Sequence, residues 1–379
     1  MKNFFITFLF ISNFLFSQSN INFNGYIQNM QIVWDTKGNT EWIFSNSLVN
    51  RLNFSWYLNN NITFKTSLRN IFDYGQFVSL IPFYSQIVTQ DCGYLDLTEE
   101  ITSGNSYVLF SNIDRLNFTY SNNNLEIIIG RQRVNWGINM VWTPNDIFNS
   151  ASFINFNYAE KQGSDAVNLQ YYLDYASSIA LVAKLDCKKK LTFAGKYQFN
   201  KWDYDFQIIS GFSDIDYIFG FGWTGNISGA GFSGELTYFR DKENFAEATG
   251  IALFSIGSNY TFSNGLLVAA EFLYNSNGTT DYSIFQKNIF SFEYSAKTLS
   301  PSKYSIFLQG QYPITPLTSV SLATIINPSD GSLFINPGLD ISLSQDVYLL
   351  FTEQIFLGDN FTEWGDYGKF YYLRLKWNF

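Results

Sequence analysis

The C-terminal run KFYYLRLKWNF places Tyr371, Leu373, Leu375, Trp377 and Phe379 on one face and Tyr372, Arg374, Lys376 and Asn378 on the other. This is a strict period of two, the signature of a strand with one apolar and one wet side. The pattern recurs in KLTFAGKYQFN, where Leu191, Phe193, Tyr197 and Phe199 oppose Thr192, Lys196, Gln198 and Asn200. It recurs again in TEWIFSNSLVNRLNFSWYL, where Trp42, Phe44, Leu48, Leu52, Phe54, Trp56 and Leu58 oppose Ser45, Ser47, Arg51, Asn53 and Ser55.

Strands of nine or more residues, with Trp and Tyr at the ends of the apolar face and Arg, Lys and Ser on the other, do not suit a sandwich core. They suit an antiparallel barrel in lipid, apolar outside and wet inside. The connections alternate accordingly. Short turns are expected at Asn59 to Asn61, Ser121 to Asn124, Asp174 to Ser177, Asn200 to Lys201, Gly225 to Asn226, Ser263 to Gly265, Pro313 to Pro316 and Ser344 to Asp346. Long loops are expected on the opposite side at Asp73 to Gly104, Asn135 to Gly163, Asp241 to Glu247, Asn275 to Ser300 and Gly358 to Tyr367. The runs between them amount to about 18 strands, an even number that returns both termini to one side. Ile284 to Ala296 is assigned to the external loop, because a further crossing would break that parity.

Composition agrees: aromatic residues are 20% and charged residues 15% of the chain, and mean hydropathy is near zero, as alternation of lipid-facing and water-facing residues requires. The first 20 residues, MKNFFITFLFISNFLFSQSN, hold one lysine, an apolar run from Phe4 to Phe16 and then small polar residues. That run is shorter than the roughly 18 residues of a spanning helix and reads as a secretory signal peptide over residues 1–18, with residues 19–379 forming one barrel domain. Cleavage is expected near Ser17 to Ser19. Removing this segment takes Lys2 from the 23 basic residues and leaves the 32 acidic ones untouched, so the mature chain carries about −10, which disfavours nucleic acid as a partner. After export Cys92 and Cys187 meet an oxidising compartment, as one disulfide or as two thiols.

One segment breaks the strand rhythm. GRQRVNWGINMVWTPNDIFN, residues 130–149, starts as a strand and runs into a long aromatic loop ending near Gly163. Such a loop is expected to fold into the lumen, held by hydrogen bonds and ion pairs rather than by a core. Arg131 and Arg133 are suited to clamp carboxylates bidentately, with Asp146, Glu160 and Asp165 the nearest in sequence. Trp136, Trp142 and Pro144 would stiffen it, whereas a plain surface loop would leave these charges solvated. Arg131 shares the face of Leu125, Ile127 and Ile129, which look lipid-facing, and a bulge at Gly130 would resolve that conflict. The patterns G-R-Q-x-V-x-W-G, W-x-P-x-D-x-F-N and G-S-D-A-V-x-L-Q-Y at Gly163 to Tyr171 resemble a largely uncharacterised family of porin-like outer-membrane barrels of Gram-negative bacteria, loosely similar to alginate-export channels. The resemblance implies a channel fold without naming a solute, and it implies that the terminal aromatic Phe379 is presented to the barrel-assembly machinery.

The inward phase, read strand by strand, nominates the pore-lining charges. With Ile62, Phe64 and Leu68 outward, Lys65 and Arg69 face in beside Arg51; with Val108, Phe110, Leu116 and Phe118 outward, Arg115 faces in. Arg374 and Lys376 join this basic wall through barrel closure, and Asp203, Asp205, Glu235 and Glu271 form an acidic wall opposite. The chain contains no histidine, which removes the usual general base, the serine triad and most zinc sites, and no phosphate-binding glycine loop is present. Asp359, Glu363 and Asp366 are oxygen ligands in one loop and would suit calcium, yet their spacing matches no EF-hand loop and they read as an ordinary acidic stretch. The expectation is therefore a non-enzymatic, cofactor-free channel in outer-membrane lipid for passive diffusion of small hydrophilic solutes. A barrel that exports or anchors a polysaccharide is the alternative, with Trp142, Trp364 and Tyr367 offered to sugars. A third class is a barrel plugged by its own loops.

Overall fold

The computed structural model describes residues 20–38, 41–150, 152–154, 160–281 and 295–379. Residues 1–18, expected as a signal peptide, and residues 284–294 of the stretch Ile284 to Ala296 lie outside these. Nineteen antiparallel strands are described. The first five are β1 (Ile21–Asp35), β2 (Trp42–Tyr57), β3 (Ile62–Gly75), β4 (Thr98–Gly104) and β5 (Tyr107–Asn122). Then follow β6 (Leu125–Gln132), β7 (Ser164–Tyr172), β8 (Ser178–Leu185), β9 (Leu191–Lys201), β10 (Tyr204–Phe212), β11 (Asp216–Ile227) and β12 (Ala230–Asp241). The last seven are β13 (Ile251–Thr261), β14 (Leu267–Asn275), β15 (Tyr304–Thr315), β16 (Thr318–Ile326), β17 (Leu333–Ser344), β18 (Val347–Leu357) and β19 (Lys369–Asn378). Two short helices, α1 (Gln76–Leu80) and α2 (Tyr84–Thr89), lie between β3 and β4.

Strand β1 pairs with both β2 and β19, so the ring is closed and 18 strands make the wall. Closure is completed by the last residue: Gly25 and Phe379 exchange backbone hydrogen bonds of 2.9 and 3.0 Å. The expected strand number and alternation of short and long connections hold. Two turns move, by two residues to Trp202–Asp203 and by three to Ser228–Gly229, where positive φ at both central residues gives the backbone twist that two-residue hairpins need. Asp203 is therefore an exposed turn residue with φ 62°, not part of an acidic wall.

Outward faces carry the exposed apolar residues, among them Trp42, Phe118, Ile129, Phe219, Leu373 and Trp377. One strand departs from the expected phase. Ser67 pairs with Arg115 and Leu68 with Ile113, so Asp114 is an extra residue in β5. A bulge puts successive side chains on one face. Below it Arg115 and Asn117 point inward, and above it Val108 and Phe110 do so too, buried with Val49, Ile71, Tyr84 and Val88 rather than facing lipid.

Strand β4 stands outside the ring for a reason visible in the register. Strand β6 pairs with β5 only over Leu116–Asn122, which leaves the upper edge of β5 open. The returning external loop fills this notch: β4 pairs with Tyr107–Asn112, Ile113 N–H donates to Leu97, and Gly93 bridges Asp186 at the end of β8. The wall above β6 and β7 is thus a strap made of residues 92–104.

Candidate functional site

Arg131 lies beneath this strap. It sits at the end of β6 on the phase of the lipid-facing Ile129, which is 54% exposed, yet it is itself 1% exposed. Its Nε and Nη2 donate to the two oxygens of Asp165 at 2.7 and 2.8 Å, and its Nη1 donates to Asp91 at 2.6 Å. A side-chain carbon at Gly93 would stand 2.0 Å from the guanidinium, so the strap closes over it only with glycine there. Gly130 has φ 115° but the register on either side is continuous, so no residue is inserted; the strap, not a bulge, removes Arg131 from lipid. Asp91, the partner that sequence proximity missed, lies 40 residues away. Burial of Asp91 opposes its charge, but hydrogen bonds from Arg131, Gly93 and Leu97 and the Arg131 charge hold its carboxyl below the usual range.

Arg133 makes no carboxylate contact within ion-pair distance among the described residues, and its Nε is buried without a hydrogen-bond partner. Asp146, expected as a clamp partner, is buried in the loop; burial raises its pKa to about 6, against the pull of Arg133 and of the Asn149 N–H. Glu160 accepts the Tyr26 hydroxyl at 3.2 Å. Arg115 donates to the carbonyls of Glu160 and Lys161 at 2.7 and 2.9 Å, tying down the end of the loop.

The loop between β6 and β7 does cross the lumen, and what holds its middle is a pair of wall carboxylates. Glu235 on β12 accepts the backbone N–H groups of Ile138, Asn139 and Asn145. Glu271 on β14 accepts those of Met140, Val141 and Trp142, at 3.2, 3.0 and 2.7 Å, together with the Ser255 hydroxyl. Room for the loop comes from β11, where a side-chain carbon at Gly220 or Gly222 would fall 2.8 or 2.9 Å from the Asn145 amide. Glu235 and Glu271 point inward as expected, but at 0% and 5% exposure they bind the loop and present no charge to water.

The loop is also held by an apolar core, contrary to expectation. Val134, Trp136 and Phe148 pack on Ala180, Val182, Ala194 and Ile209 of the inner wall. Val141 and Trp142 join Leu253, Leu273, Phe307, Phe334, Phe356 and Phe370, all inward-facing in the external half of the barrel. Further on, Phe153 meets Phe307 edge-on and the Ile154 carbonyl accepts from Gln354 of β18. The loop therefore touches the wall almost all the way round.

Water-facing charge survives in a narrower set. Arg51, expected in the pore, is 3% exposed and bidentate to Asp114 at 2.6 and 3.0 Å. Lys65 is exposed, and Arg69, Arg115, Arg133, Glu160, Asp205, Arg374 and Lys376 are partly so, with the Lys376 ammonium 4.0 Å from the centre of the Tyr26 ring. A cavity of about 180 Å³ opens beside Trp136, lined by Asn135, Lys196, Gln198, Asp205, Gln207 and Thr224. Lys196 sits 5.6 Å from the Trp136 ring centre. Lys196, Gln198 and Gln207 were not singled out in the sequence, although the alternation of β9 places Lys196 and Gln198 inward.

Among solved structures the chain is similar to OccAB4 of Acinetobacter baumannii, with a TM-score of 0.60 and 10% identity over 96% of this chain and 99% of that one. It is similar to OccK11 (OpdR) of Pseudomonas aeruginosa, with a TM-score of 0.57 and 11% identity over 95% and 96% of the two chains. Salmonella typhi OmpF, solved in complex with daunomycin, gives a TM-score of 0.50 and 10% identity over 95% and 97%. The fold is that of the outer-membrane porins. No family model matches the sequence, and no curated protein is similar to it in sequence.

Within this porin fold the three acids of the last external loop are used separately. Asp366 accepts the Phe361 N–H, Asp359 accepts Thr362 through its carbonyl, and Glu363 is buried against Ser300 and Ser302. Burial raises the Glu363 carboxyl to about 7, with Asp330 adding to the rise and Ser302 opposing it.

Proposed function

We propose that the protein is an outer-membrane channel for passive diffusion of small hydrophilic solutes, exported through a cleaved signal peptide and assembled through its C-terminal Phe379. The observation that carries this reading is the internal loop: a closed ring of 18 strands with one loop latched across its lumen by Glu235 and Glu271 is a barrel with a set constriction. The likeness to porins supports it at the level of fold. With both acids buried and bound by backbone N–H groups of the loop, Lys65, Arg69, Arg374 and Lys376 are the dominant water-facing charges on one side, with Lys196 and Asp205 at the cavity opposite. Such a lumen favours anionic and dipolar solutes over apolar ones.

The aromatic side chains that would have suited sugar export do not support that alternative, because Trp142 and Trp364 are 5% and 6% exposed inside the apolar cluster. Reconstitution of the refolded protein in planar bilayers is the test. Discrete conductance steps, reduced by small organic acids added to one side, are expected; a correctly folded barrel with no conductance would make it a plugged, structural one.

A further inference from the structure

The structure assigns Cys92 and Cys187 as a disulfide that staples the wall strap to the end of β8, an inference that rests on the exported location proposed above. Gly93 and Asp186 form an antiparallel bridge, and the next N–H along, Cys187, donates to the Cys92 carbonyl at 3.3 Å. Continuing that pairing by one residue sets Cys92 directly opposite Cys187. Directly opposed residues in an antiparallel pair carry their side chains on the same face, with Cα atoms about 5.5 Å apart when the pair is hydrogen-bonded, which lies within the usual Cα spacing of disulfides. The two Cβ atoms must then approach by about 1 Å from ordinary cross-strand spacing. Both residues sit at an isolated bridge followed by turns, not inside a ladder, so this adjustment is local. Both are thiols in this structure and both are exposed, so an oxidant reaches them from solvent.

The location gives the bond a purpose. Residues 92–104 are wall, yet one side of this strap meets β8 through a single bridge, whereas β4 is paired with β5 over most of its length. Buried Arg131 and Asp165 lie directly beneath that weak join. A cross-link between the strap and the β8–β9 turn closes the side where backbone pairing is thinnest. In the reaction two thiols lose two protons and two electrons and form one S–S bond, while a protein disulfide of the exported compartment is reduced to two thiols by exchange.

Two arms test this separately from the channel reading. Protein refolded in a glutathione redox buffer and alkylated with N-ethylmaleimide is expected to yield one cross-linked peptide pair containing Cys92 and Cys187, two mass units lighter than the dithiol. Full alkylation of both cysteines in the folded barrel would overturn the assignment, whatever the cellular location. Protein taken from envelope fractions with thiols blocked at lysis is expected to resist alkylation until reduced, and reduction is expected to lower its heat resistance by several degrees in the parent but not in the Cys92→Ser, Cys187→Ser variant. Outer-membrane protein with both thiols alkylated before reduction would also overturn it. A chain absent from the envelope would count against the exported location instead, leaving the refolded arm to decide the bond.

Discussion

The Glu271 carboxylate accepts the backbone N–H of Trp142 at 2.7 Å across 129 residues of sequence, and Glu235 accepts that of Asn145 at 2.8 Å in the same manner. Backbone donors leave the wall charges without a counter-cation, so the loop itself solvates them. Hydrogen bonds to a charged group contribute on the order of 1.5–3 kcal/mol each, and six such bonds explain how a segment with little regular structure keeps one path across the lumen.

Space is as necessary as charge. Gly222→Val places carbon within van der Waals radii of Ile138 and the Asn145 amide, while its outward neighbours Phe221 and Trp223 are untouched. The expected result is a folded barrel whose loop is cut by protease many times faster than in the parent. Unchanged cleavage would show that the loop does not depend on the β11 glycines.

Arg131 predicts a stability effect without a transport effect. Arg131→Met leaves Asp91 and Asp165 buried without their cation, a loss of about 3–5 kcal/mol where a buried pair is broken. A large drop in the temperature of the heat-induced gel shift is expected, with much of it recovered when Asp91→Asn and Asp165→Asn are added. A single variant as stable as the parent would mean that the seam beneath the strap is not held by this triad.

Acid in the last external loop predicts a direction with pH. The carboxyl of Glu363 is raised by burial to about 7 from an ordinary value near 4.5, so the folded state binds the proton more tightly than the unfolded one. Its contribution to stability is fully present below about pH 4.5 and is lost as pH rises through about 7. Thermal unfolding between pH 5 and pH 8 should show Glu363→Gln gaining on the parent with rising pH, by on the order of 1–3 kcal/mol at pH 8. A constant difference would place the proton elsewhere.

Charge selectivity separates lumen-facing cations from buried ones. Lys65→Gln with Lys376→Gln should move the zero-current potential in a salt gradient toward cation preference. Arg51→Gln should leave that potential in place and lower stability instead, because Arg51 is neutralised by Asp114. An equal shift from both would mean that Arg51 meets the conduction path.

How much of this was legible depends on which periodicity survived. The outward faces of β2, β9 and β19 were read correctly because lipid demands a mostly apolar face every second residue, and in β2 only Asn46 and Asn50 interrupt it. In β5 the extra Asp114 reversed the phase above it, and a bulge carries no compositional mark, so Val108 and Phe110 read as lipid-facing. The apolar external half of the lumen was hidden because Phe307 and Phe356 face inward between outward Leu308 and Leu357, giving runs apolar on both faces. Glu235 and Glu271 were legible as inward but not as latches, since their partners are backbone N–H groups 90 to 131 residues away, which have no side-chain identity to read. Asp91 was illegible for the related reason that the strap it belongs to fills a gap left by another strand.

Two wall carboxylates hold the constricting loop, and the decisive measurement is the single-channel conductance of Glu235→Gln combined with Glu271→Gln. Each amide keeps one acceptor oxygen and nearly the same shape but loses the charge and half of the acceptors. With heat-modifiable folding intact, the doubly substituted channel is predicted to conduct severalfold more than the parent and to fluctuate between open levels as the loop leaves the lumen. A folded double variant with the parent's conductance and a quiet trace would contradict the account.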